Sequence, residues 1–256
     1  GGVHACQAGF GHPEALGLAF TSWGAGPLIN TACSVTLFVF DQAGTTRQSL
    51  GPTDDIPDLS CASILADSGV FPLGGSPVER RETDFVMPEF PGLLVHLRQD
   101  ASAGGFEQTY TFTNLTAAPY LLRIARVADL DIPYAPDGSF ALGGYQANES
   151  GFLPDGAEVH DVAMTVTVAI TASSFEGARR QGDGGAALAR TWENNGVPTG
   201  ELNVYGRDGV YENTSWTGDP VTPMLAGPAD QAVVVQSLLT VPASGTATYV
   251  TNASSL

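Results

Sequence analysis

Lysine is missing from this chain. All ten basic residues are arginine, and they stand against 27 acidic residues, for a formal net charge of −17 and a pI near 4.3. Nucleic acid is recognised by neutralising phosphates with basic side chains, and no basic run or patch is present to do so. The same deficit disfavours anionic membrane surfaces. Metal cations and neutral partners fit the charge better. Charge of either sign is sparse: Asp, Glu, Lys and Arg make up 14% of the chain, against about a quarter in an average globular protein. Cysteine is also scarce. Cys6, Cys33 and Cys61 form no CxxC pair, which argues against a cysteine-built zinc or iron–sulfur site. They are disulfide candidates instead, one bridge with one thiol left over, and all three pairings stay open. No segment reaches the roughly 18–20 apolar residues of a membrane helix. The chain opens on Gly1-Gly2 rather than Met, which reads as a processed product.

Catalytic signatures are missing too. There is no GxSxG elbow, no P-loop and no GxGxxG after a strand; the glycines around Gln181-Gly-Asp-Gly-Gly185 read as a turn. The 27 acids offer many carboxylate pairs and single out none. Four histidines, His4, His12, His96 and His160, occur without HxH, HExxH or HxxxH spacing. His96 and His160 read as hydrogen-bonded core or edge residues. His4 and Cys6 with His12 are the one grouping to consider for copper or zinc. No catalytic residue is nominated.

What remains is the grammar of sheets. Hydrophobic residues make up 43% of 256, enough for a substantial core, and Thr, Ser, Gly and Ala fill the place of charge. Residues 34–40 and 92–99 read as strands. In residues 106–113, Phe106, Tyr110 and Phe112 share one face while Glu107, Thr109, Thr111 and Thr113 share the other, the period of two of a half-buried strand. A polar break at 114–119 follows, then residues 120–131, read as an antiparallel partner by proximity. Residues 157–171 alternate as one long strand. The tail adds strands at 232–241 and 245–252 joined by Pro242-Ala-Ser-Gly245. Residues 184–194 are the best helix candidate. The predicted fold is all-β, a large antiparallel β-sandwich with at most one or two short helices. It forms a single domain over 1–256, with 1–80 a less regular N-terminal part that carries the cysteines.

Two constellations suggest ligands. Asp129, Asp131 and Asp137 cluster where a strand enters a loop, and calcium takes several such oxygen ligands. Arg123, on the same strand face, can instead pair with Asp129. Asp54, Asp55 and Asp58 are a weaker acidic cluster, read as a solvated loop. Trp192, Tyr205, Tyr211 and Trp216 sit among Gly, Asn and acidic residues, a setting in which rings stack on sugar faces while polar groups take hydroxyls. The alternative is ordinary core aromatics. Four sequons, at Asn114, Asn148, Asn213 and Asn252, are a mild signature of export.

The TYTFTN strand, its polar break, the Arg-containing strand ending in Asp129-Leu-Asp131, and the closing segment 235–249, similar to the closing hairpin of such domains, together resemble exported bacterial β-sandwich proteins, including the large two-sheet galactose-mutarotase-like kind. The resemblance covers residues 80–256. It implies an extracellular sandwich and no particular activity, since the catalytic histidine and glutamate of mutarotases find no matching positions. The expectation is a secreted or cell-surface, non-catalytic protein with a structural, adhesive or self-assembling role, in which strands such as 157–171 pair edge to edge with a second copy. The alternative is a carbohydrate-binding or carbohydrate-active protein with an aromatic-rich cleft, stabilised by calcium. Self-association or a cell-surface glycan is the expected partnership.

Overall fold

A computed structural model describes residues 37–41, 46–50, 62–69, 71–76, 78–102, 105–129, 148–161, 167–182 and 231–255. Within them the regular structure is strand throughout. The chain runs β1 (Leu37–Asp41), β2 (Arg47–Leu50), β3 (Ser63–Asp67), β4 (Phe71–Pro72), β5 (Glu79–Val86), β6 (Leu93–Ser102) and β7 (Gly105–Asn114). It continues with β8 (Tyr120–Asp129), β9 (Asn148–Leu153), β10 (Gly156–Asp161), β11 (Thr167–Ala172), β12 (Phe175–Gly182), β13 (Gln231–Val241) and β14 (Thr246–Ser255). One sheet has the order β12-β13-β8-β1-β2. The other has nine strands, β3-β5-β6-β7-β14-β11-β10-β9, with β4 beside β5. The described pairings are antiparallel, and the predicted all-β sandwich is what forms.

One hydrophobic core lies between the sheets. The smaller sheet contributes Leu37, Val39, Leu50, Leu122, Ile124, Val235, Leu239 and Val241, and the larger contributes Phe85, Val95, Leu97, Tyr110, Phe112 and Tyr249. The period of two delivers this directly. Along β7, Gln108, Tyr110, Phe112 and Asn114 are buried, while Glu107, Thr109, Thr111 and Thr113 lie on the outer face. No helix among the described residues is long and apolar enough to cross a membrane.

Three connectivity expectations are corrected. The strands at 106–113 and 120–131 do not pair: β7 lies between β6 and β14, and β8 lies between β1 and β13 in the other sheet. The closing segment is not a hairpin either, because β13 belongs to the smaller sheet and β14 to the larger. Both breaks carry the chain from sheet to sheet, so proximity in sequence becomes proximity across the core. Finally, residues 157–171 are not one strand but parts of two. β10 pairs with β11, with Gly156 opposite Thr171, and a Cβ at Gly156 would collide with the carbonyl oxygen of Ile170. β10 also pairs with β9, and β11 with β14, so neither has an open edge for a second copy. The helix candidate at 184–194 lies outside the described residues.

Candidate functional site

Antiparallel cross-strand partners point to the same side of a sheet. On the outer face of the nine-stranded sheet this aligns residues from distant parts of the chain. Arg80 on β5 is opposite Asp100 on β6, Asp100 is opposite Glu107 on β7, Glu107 is opposite Asn252 on β14, and Asn252 is opposite Thr171 on β11. The five side chains form one row at right angles to the strands, each step about 4.8 Å. They line an open groove of about 520 Å³ together with Ser102, Ser254 and a short apolar wall of Leu73 and Val78. That wall is set by the β4–β5 turn, in which Leu73 N–H donates to Val78 O at 3.0 Å.

The charges in the groove hold one another. Arg80 grips Asp100 with both prongs, Nε to Oδ1 at 2.6 Å and Nη2 to Oδ2 at 2.8 Å. These bonds to Asp100 raise the Arg80 pKa above its ordinary value and keep it charged. Arg98 brings Nε within 3.2 Å of the same carboxylate and donates from Nη2 to Glu107 Oε1 at 3.2 Å. Thr109 Oγ1 donates to Glu107 Oε1 at 3.3 Å. Two guanidinium groups against two carboxylates leave this stretch close to neutral. It presents a lattice of fixed donors and acceptors rather than a field of one sign. Two rows further on, His96 Nδ1 meets Asp84 Oδ1 at 2.8 Å. His96 is therefore hydrogen-bonded as expected, but it stands on the solvent face of a central strand rather than in the core or at an edge.

The sequence-nominated residues fall elsewhere. Asp129 is the last residue of β8, its backbone opposite Ala232. Asp131 and Asp137, Trp192, Tyr205, Tyr211 and Trp216, the acidic cluster at 54–58, His4, His12 and Cys6, Cys33 and Cys61 all lie outside the described residues. The histidine at 160 is described in backbone only, opposite Glu149 and Thr167. Among the described residues no group of three or more His, Cys, Asp or Glu gathers to hold a metal ion.

One sequon acquires a different meaning. Asn114 is 1% exposed, and its Nδ2 donates to Ala118 O at 2.7 Å and Pro242 O at 3.1 Å. Its Oδ1 accepts from Thr116 N at 2.9 Å and Thr116 Oγ1 at 2.8 Å. The amide that a glycan would occupy is committed to tying together the two sheet-to-sheet crossings, so the Asn114 sequon is structural.

The residues of the groove escaped the sequence reading, although their signal was present. Arg80, Glu82 and Asp84 alternate along one face of β5, as do His96, Arg98 and Asp100 along β6. Which of them meet depends on register, and that is a property of the pairing.

Fold and groove together define a large two-sheet antiparallel sandwich with a polar row on its larger sheet. The sequence matches no protein-family model and no curated protein. Among solved structures the chain is similar to a galactose mutarotase-like protein from Clostridium acetobutylicum, with 12% identity, 86% of this chain and 78% of that one covered, and a TM-score of 0.40. It is also similar to the Slr1438 protein of Synechocystis sp. PCC 6803, with 8% identity, coverage of 90% and 77%, and a TM-score of 0.38. A third neighbour, from the human microbiome, is assigned as a kojibiose phosphorylase; 70% of this chain matches 18% of that one at 8% identity and a TM-score of 0.34. The weak resemblance to mutarotase-like sandwiches therefore stands at the level of general architecture, and no residue role is carried from it.

Proposed function

We propose that this chain is an extracellular, non-catalytic binding module of adhesive type, and that the groove on its larger sheet takes a neutral, polyhydroxylated ligand of the carbohydrate class. The observation that carries this reading is the row Arg80, Asp100, Glu107, Asn252 and Thr171. It offers carboxylate, guanidinium, amide and hydroxyl groups at strand spacing in an open groove. Sugars are recognised by such pre-positioned polar groups, and Leu73 and Val78 supply an apolar wall for a ring face. The internal pairing of the charges suits an uncharged ligand, which need not strip counter-ions from the site. The extracellular placement rests on composition, on low charge and threonine-covered strand faces.

A glycan array, followed by calorimetric titration with the best binders, tests the proposal. Glu107→Gln and Asn252→Ala are each expected to weaken binding by about tenfold, the cost of one hydrogen bond lost to a fixed polar group, with the circular dichroism spectrum unchanged. An array without any binder, or affinity indifferent to both substitutions, would refute it.

A further inference from the structure

The groove is long and narrow. Its lining comes from five adjacent strands, β5, β6, β7, β14 and β11, yet from no more than two outer-face positions on any of them. Asp100 and Ser102 stand on β6, Glu107 and Gly105 on β7, and Asn252 and Ser254 on β14. Four strand-to-strand steps make the groove about 19 Å long, and two alternate residues make it about 7 Å wide. Its long axis therefore runs across the strands.

The two positions differ in height. One is the polar row from Arg80 to Thr171. In the other, Ser102, Gly105 and Ser254 are partners in turn across β6, β7 and β14. The middle residue has to stay bare, because a Cβ on Gly105 would lie 2.7 Å from the carbonyl oxygen of Ala253 and 3.2 Å from Ser254. The short side chains form a trough and the longer ones its bank. Along the bank a polar group recurs at every strand, about 4.8 Å apart. That spacing is close to the length one pyranose ring adds to an extended chain. A single ring would meet one step of the bank and leave the rest to water.

Resting on the reading of this groove as a sugar site, we propose that its occupant is a linear, neutral oligosaccharide lying across the strands, with about four rings in contact. One end lies at the wall of Leu73 and Val78 beside Arg80 and Asp100, the middle passes Glu107 above Gly105, and the other end reaches Asn252 and Thr171. Hydroxyls on successive rings bond to successive groups of the bank. The contacts reinforce one another, because a ring already bound holds the next one at high local concentration.

Calorimetric titration of the full chain with oligomers of glucose, mannose and galactose, one to six units long, tests this. In the series that binds, affinity should rise several-fold with each unit to about the fourth and then level off. Thr171→Val and Leu73→Ala lie at opposite ends of the groove. Each should weaken the four-unit oligomer several-fold and bring the plateau one unit earlier, with the circular dichroism spectrum unchanged. A monosaccharide that binds as tightly as its four-unit oligomer would overturn the inference, as would indifference to both substitutions, and either would leave the sugar-binding reading standing. No binding by any of the three series would also overturn it, and a blank glycan array beside that result would remove the sugar-binding reading as well.

Discussion

Asp67 and Arg81 show how this chain uses the little charge it has. Arg81 is nearly buried on the inner face of β5 and grips Asp67 through Nε at 2.9 Å and Nη2 at 2.6 Å, while Thr83 adds a 3.1 Å bond to the same carboxylate. The Arg81 hydrogen bond is the main reason the Asp67 pKa is lowered, against an opposing push from burial. A carboxylate whose folded pKa is depressed contributes stability that is present above its unfolded pKa, near 4, and is lost as pH falls through the lower folded value. Urea denaturation from pH 5 to pH 2 should show a stability loss that Asp67→Asn removes; an identical acid limb in the variant would rule the pair out as its cause. The buried tyrosines give the opposite limb. Burial is the largest cause raising Tyr249 to about 12 and Tyr110 higher still, with nearby Arg126 opposing in both cases. Their stability contribution is full below the unfolded value near 10 and declines as pH climbs from there through the folded values. Ultraviolet titration of the seven tyrosines should find two phenols still protonated at pH 11 in the folded protein. Their ionisation together with the rest would place them at the surface.

Strands and their crossings are the next level. β7 leads to β8, and β13 leads to β14, by short segments that change sheet at the same end of the sandwich, with Asn114 between them. Its backbone N–H donates to Gly245 O at 2.8 Å, and Ser244 N–H donates to Thr116 O at 2.9 Å. A third crossing, from β11 to β12, is made at Ser173 and Ser174. Ser173 is bonded to Val250 of the larger sheet, and Ser174, at a left-handed φ of 53°, accepts from Leu238 N–H in the smaller one. Asn114→Ala takes the acceptor from the Thr116 N–H and removes the buried amide that links the crossings, although Ala118 O keeps Thr116 Oγ1 and Pro242 O keeps the Gly245 N–H. The substitution should cost about 1–3 kcal/mol by chemical denaturation, and a loss below about 0.5 kcal/mol would show the crossings to be independent of that side chain. The misreading of β8 as a hairpin partner was avoidable. Leu122, Arg123, Ile124, Ala125 and Arg126 are consecutive and all buried, so apolar residues fall on both parities. That is the pattern of a strand covered on both faces, in the middle of a sheet, rather than of the half-exposed arm of a hairpin.

At the scale of the whole molecule the two sheets share one core, and neither has an apolar interior without the other. Phe112→Ala, fully buried on β7, should cost about 3–5 kcal/mol and speed amide exchange in β8 and β13 of the opposite sheet as well as in β6 and β14. Faster exchange confined to the larger sheet would mean the two layers unfold separately. The strand content, the inward and outward faces of β7, and the class of the fold were legible in the chain, because side-chain alternation is local and two residues suffice to set it. The polar row from Arg80 to Thr171 was not legible, nor was the buried meeting of Tyr110 and Tyr249 with Arg126. Both join residues more than 90 positions apart, through registers that depend on which strands become neighbours. That choice is made by burying both sheets' apolar faces at once, with Asn114 turning the chain from one layer to the other. Periodicity along the chain says which side of a sheet a residue takes; only the assembled sandwich decides which residues it meets there.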